Sequence, residues 1–181
     1  MRRATIGWTV LVAPLLAGCG GAGPYGFARQ YEPLDEEEPY LERATSVSYE
    51  EVRRAPTTYT STLLGWFGVV TAVDVAADGS ALVALTYRTH QARHLCADER
   101  ESSCRVTVSE RAIGPWTARI RLRHEDRFGS DRVWVGSLLR VYGRPTGDTD
   151  EQGGPVVAGE WYRHWPRGAY VTTGAAVTMR R

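Results

Sequence analysis

The chain has 181 residues, 43% of them hydrophobic and 24% charged, with a formal net charge of +1. That length suits one domain with its own core plus accessory segments, and the near-neutral balance argues against a dedicated nucleic-acid binder, which needs a basic face. All basic residues are arginine, and neither lysine nor asparagine occurs, as codon usage in a GC-rich genome would produce.

Residues 1–18 read as a secretory signal. Arg2 and Arg3 supply a positive start, and Ile6 to Leu16 an apolar run that is shorter than the roughly 20 residues needed to span a bilayer. Leu16-Ala17-Gly18-Cys19 then resembles the lipobox of bacterial lipoproteins. That resemblance implies thioether acylation of Cys19 and cleavage before it. Several acyl chains at about 0.8 kcal/mol per buried methylene make a durable anchor. Gly20, not aspartate, follows the cysteine, which in the lipoprotein sorting rule favours the outer membrane, with the head in the periplasm.

Residues 19–45 read as a flexible, lipidated acidic linker. Gly20-Gly21-Ala22-Gly23-Pro24 is a flexible composition, and Asp35-Glu36-Glu37-Glu38-Pro39 is a charge run expected to stay solvated. Residues 46–181 read as the folded head. A short helix is expected near 48–55, capped by Ser46 or Ser48 and ended by Pro56. Leu63 to Val75 reads as one long strand that Gly65 and Gly68 bulge or coil. An Asp78-Gly79 turn returns it as Ala81 to Tyr87. A polar excursion over 89–104 holds two cysteines, and Arg105 to Ser109 is a further strand.

In Trp116 to Arg123 the alternation is clearest: Trp116, Ala118, Ile120 and Leu122 share one face, Arg119, Arg121 and Arg123 the other. After a charged turn, 124–131, come a strand over Val133 to Tyr142 interrupted at Gly136 and a long Gly/Asp loop over 143–154. An aromatic-rich strand over Pro155 to Trp165 follows, and a last strand over Val171 to Met179. Short strands, frequent turns and no βαβ alternation predict an all-β fold of about five to seven strands with one short N-terminal helix, a small barrel or sandwich, and the glycine-kinked strands tilt the choice towards a barrel.

Three stretches together resemble the outer-membrane lipoprotein family typified by the starvation-inducible Slp protein. They are Ser48-Tyr49-Glu50-Glu51-Val52 running through Pro56 and Tyr59 into Gly65-Trp66-Phe67-Gly68-Val69-Val70, then Gly136 to Gly143, and then Gly159-Glu160-Trp161-Tyr162-Arg163-His164-Trp165-Pro166. The resemblance implies an OB-like barrel at the outer membrane and brings no catalytic activity with it.

Candidate sites are few. With Cys19 assigned to lipid, Cys96 and Cys104 are left as a disulfide pair in an oxidising compartment. A metal site from His90, His94, Cys96 and Cys104 is the alternative, but H-x3-H-x-C-x7-C lacks the tight paired spacing of structural zinc, so no metal or cofactor is assigned. Trp161, Tyr162, Arg163 and Trp165 interleave aromatics with arginine, as OB-folds do where they stack sugars or single strands; packing in the core or rim is the plainer expectation. Arg119, Arg121 and Arg123 read as a solvated face rather than a phosphate site. His124-Glu125-Asp126 has no visible serine, cysteine or metal partner, so no catalytic residue is assigned. The leading expectation is therefore a non-catalytic, lipid-anchored envelope protein whose partners are the membrane and an envelope protein. The alternative is a periplasmic module binding a glycan or oligonucleotide through 161–170.

Overall fold

A computed structural model describes residues 27–91, 93–96 and 105–178. Cys19, the signal and Cys104 lie outside the described residues, as does the side chain of Cys96. In chain order the elements are β1 (Phe27–Gln30), α1 (Glu38–Arg43), α2 (Tyr49–Arg54), a 3-10 turn (Pro56–Tyr59), β2 (Leu64–Val75) and β3 (Ser80–Arg88). Then come β4 (Arg93–Cys96), β5 (Val106–Val108), β6 (Pro115–Arg121), β7 (Leu138–Thr149), β8 (Pro155–Trp165), β9 (Tyr170–Thr172) and α3 (Thr173–Thr178).

Five strands close into a barrel in the order β2-β3-β6-β8-β7, with β7 returning to β2. All neighbours are antiparallel except β6 and β8. Counting barrel strands alone, that order is first, second, third, fifth, fourth, with third and fifth parallel. This is the small all-β barrel towards which the strand pattern tilts, with a connectivity like that of an OB-fold. Closure leaves no free barrel edge.

Inside lie Trp66, Val70, Val83, Leu85, Trp116, Ala118, Ile120, Val141 and Val157, all buried. The alternation read in β6 therefore points as expected. The capped helix also appears: Ser48 and Glu51 form a reciprocal capping box, and Tyr49 and Val52 plug one barrel end, with Tyr49 Oη donating to the Pro115 carbonyl at 2.8 Å. The loop 122–137 closes the other end, where the Leu122 N–H donates to the Gly79 carbonyl at 2.9 Å. The long strand β2 shifts register against β3 between Val70 and Ala72, as a bulged strand should.

Two small sheets, β1 with β4 and β5 with β9, lie outside the barrel. A second core of Phe67, Val106, Val108, Leu138 and Trp165, with Tyr31 and Tyr170 against it, forms on the outer face of β2, β7 and β8.

Three expectations are corrected. The Gly/Asp stretch from 143 is not a loop, because β7 continues to Thr149. Only 150–154 turns, fastened by Asp150 Oδ1, which accepts the Gln152 and Gly154 N–H groups. The last segment is a three-residue strand followed by α3, and there is more than one short helix. Gly143 explains the first error. A Cβ there would fall 2.3 Å from the Ala158 carbonyl oxygen across the β7–β8 pair, at a register shift. The glycine is a close-approach residue inside a strand, not a loop marker. Gly143→Ala is expected to part these strands and cost of order 3 kcal/mol, read as a lowered urea midpoint.

Candidate functional site

On the barrel's outer face, Arg140 of β7 and Arg163 of β8 are directly opposed cross-strand partners. Like charges in that position repel, and Glu37 resolves the conflict. Its side chain is 0% exposed, and it receives Arg140 Nη1 at 3.0 Å on Oε1 and Arg163 Nη1 at 3.1 Å on Oε2. Tyr142 Oη donates to Oε1 at 2.7 Å, Tyr31 Oη donates to the same oxygen, and the Leu34 N–H donates to Oε2 at 3.3 Å. Arg140 also lies over the rings of Tyr31, Phe67 and Tyr142, and Arg163 over Tyr31 and Trp165. Burial, with Glu37 beside it, pushes the Tyr31 hydroxyl up to about 12. The acidic run is therefore no free spacer: one of its carboxylates is the keystone that fastens the N-terminal segment to the barrel.

A second buried cluster sits at the loop-closed end. Asp126 Oδ1 lies 2.8 Å from His164 Nδ1, and His164 Nε2 lies 3.1 Å from Ser137 Oγ. The other carboxylate oxygen receives Tyr162 Oη at 2.5 Å and Arg123 Nε at 2.8 Å. Burial opposes ionisation of Asp126, but hydrogen bonds from His164, Tyr162 and Arg123, with the Arg123 charge, outweigh it and bring the carboxyl down to about 2.

The connectivity is that of a Ser-His-Asp constellation. Sequence reasoning missed it because its members stand 11 and 27 positions apart, and only the folding of loop 122–137 onto β8 joins them. Access is what a nucleophile would lack here. Ser137 is 2% exposed, its Oγ also accepts the Trp134 N–H at 3.2 Å, and the adjoining Gly136 is overlaid by the Arg167 stem and bound by Tyr170 Oη.

The structure also brings His90 and His94 together, their Nε2 atoms 3.0 Å apart, with the His90 ring stacked on Phe67 at 4.7 Å. Burial, then the neighbouring His94 and Arg140, lower His90 to about 4. Of the proposed disulfide pair, which is also the cysteine half of the alternative metal set, Cys104 and the side chain of Cys96 lie outside the described residues.

The aromatic segment is packed, not displayed. Tyr162 points into the barrel at 5% exposure, and Trp165 is 8% exposed in the outer core. Arg163 is committed to Glu37, and half-buried Trp161 stacks on Tyr40 at 5.8 Å. β8 lies between β6 and β7, and although Ala158 and Glu160 are exposed, the rings of Trp161, Tyr162 and Trp165 are spent on packing against the rest of the chain. An open concavity among the described residues lies elsewhere, a groove of about 500 Å³ lined by Asp74, Leu82, Arg119, Arg121 and Gly159. Of the arginine stripe, Arg119 and Arg121 face outward and pair with Asp148 at 3.8 Å and Asp78 at 3.4 Å, whereas Arg123 turns onto Asp126 and the Tyr162 ring. Comparisons with family models, curated proteins and solved structures find no match to this chain.

Proposed function

We propose that the chain is a lipid-anchored envelope protein of the kind the Slp family typifies, held at the outer membrane through Cys19. Its OB-like barrel then serves as a non-catalytic interaction head. The observation that carries this reading is Leu16-Ala17-Gly18-Cys19 behind a charged start and an apolar run. A barrel whose interior is filled by Trp66, Trp116 and their neighbours, and whose aromatic segment is spent on packing, supports a scaffold rather than a cavity for a substrate. Palmitate labelling of the full chain tests it: Cys19→Ala is expected to lose the label and leave the membrane fraction, and retained label overturns the reading.

Acyl transfer at Ser137 is the enzymatic reading that geometry raises. Treating the intact chain with a fluorophosphonate is expected to leave its mass unchanged, because Ser137 is covered. An adduct at Ser137 would turn the cluster from a structural staple into a catalytic site. If the head instead binds a glycan or an oligonucleotide, the groove beside Leu82, Arg119 and Arg121 is where that binding belongs, not segment 161–170.

A further inference from the structure

Seven large hydrophobic side chains are exposed among the described residues, and three of them, Phe128, Trp134 and Val135, stand within eight positions on loop 122–137. Their exposures are 59%, 54% and 47%. Exposed aromatics on a loose loop would mean little, but this loop is tied down. The Val133 N–H donates to the Asp126 carbonyl at 2.8 Å, the Gly136 N–H to the Val70 carbonyl at 2.9 Å, and Arg127 Nη2 to the Ala77 carbonyl at 3.2 Å. The Asp126–His164–Ser137 cluster pins its base. A rigid base that presents apolar tips is a built surface, not an unpacked one.

Each exposed ring carries its own guanidinium: Arg127 lies over Phe128 at 5.3 Å and Arg132 over Trp134 at 4.6 Å. Glu125 and Asp131 on the same loop balance these two charges. An amphipathic ring with a cation beside it and no net charge suits the interfacial zone of a phospholipid leaflet, where the ring sits at headgroup depth and the cation meets phosphate. It suits an acidic or basic protein partner less well.

The anchor's position agrees. Tyr31, just after β1, packs on Trp165 at 6.4 Å, and Trp165 pairs with Leu138, the residue following the loop. The chain therefore enters the head at the loop-closed end of the barrel. Cys19 precedes Phe27 by eight residues, a reach of at most about 28 Å.

We propose that Phe128, Trp134 and Val135 insert into the headgroup region of the leaflet that holds Cys19, so that the barrel docks end-on against the membrane. This rests on the lipid-anchor reading above. The test uses the lipidated full chain in vesicles of phosphatidylethanolamine and acyl-brominated phosphatidylcholine, with flotation as the check on anchoring. Bromine is expected to quench the tryptophan emission that Trp134→Phe removes, roughly two-fold or more, because interfacial indoles sit near the upper acyl carbons. A chain that floats while its Trp134 emission is unquenched overturns the docking and leaves the anchor standing. A chain that does not float overturns both. Shielding of Trp134 from acrylamide in whole envelopes, without quenching in pure lipid, overturns the docking in favour of a protein partner.

Discussion

Glu37→Gln is expected to cost the head about 3–5 kcal/mol, because it leaves the buried Arg140 guanidinium and the half-buried Arg163 guanidinium without their counter-charge. Arg140 and Arg163 face each other across β7 and β8, and the Glu37 carboxylate lies between them with one oxygen for each. Glutamine preserves the shape and keeps one acceptor, so the loss reports charge rather than packing. Urea unfolding of the full chain should show the midpoint falling while the slope holds. The apolar counterpart separates the two costs: Glu37→Leu with Arg140→Met and Arg163→Met should recover much of the loss, because no charge then remains to be compensated. If Glu37→Gln alone proves neutral, the carboxylate is not the keystone.

That carboxylate marks where sequence reading stopped. The barrel was legible because its signals are local and periodic: Trp116, Ala118, Ile120 and Leu122 alternate, Asp78-Gly79 turns, and Ser46 or Ser48 offers the cap that Ser48 supplies to α2. Glu37 was illegible because a run of four acids and a proline has the composition of a solvated spacer. Nothing within the run distinguishes the carboxylate that will meet Arg140, 103 positions later. Segment 161–170 was ambiguous in sequence for a related reason. Aromatics interleaved with arginine look alike whether they stack on a ligand or on Tyr40, Phe67 and Arg123; the answer depends on what the fold brings against β8. Gly143 reversed its meaning for the same cause, since the Ala158 carbonyl that requires it is on another strand.

Asp126→Ala should cost about 3 kcal/mol, since it removes the acceptor shared by His164, Tyr162 and Arg123 and leaves their buried donors unmet. The damage should be local. Amide exchange is expected to quicken at Val133 and Gly136, which close the loop, while β3 and β6 amides stay protected. The pH profile supplies a second, independent signature. Asp126 is held at about 2, below its ordinary 3.8, so its stabilisation is complete above pH 3.8 and is lost as the pH falls through 2. It amounts to about 2 kcal/mol. His90 works in another window. It is lowered from 6.5 to about 4, so the unfolded chain takes up a proton that the folded chain refuses, and stability declines as the pH drops from 6.5 to 4. Intact protein should therefore lose stability in two successive acid steps. Asp126→Ala should shrink the lower step and keep the upper, whereas His90→Gln should keep the lower and shrink the upper, which His94, also lowered by burial, shares. An Asp126→Ala variant that retained both steps in full would mean that the carboxylate carries no differential protonation, and the staple would have to be explained by packing alone.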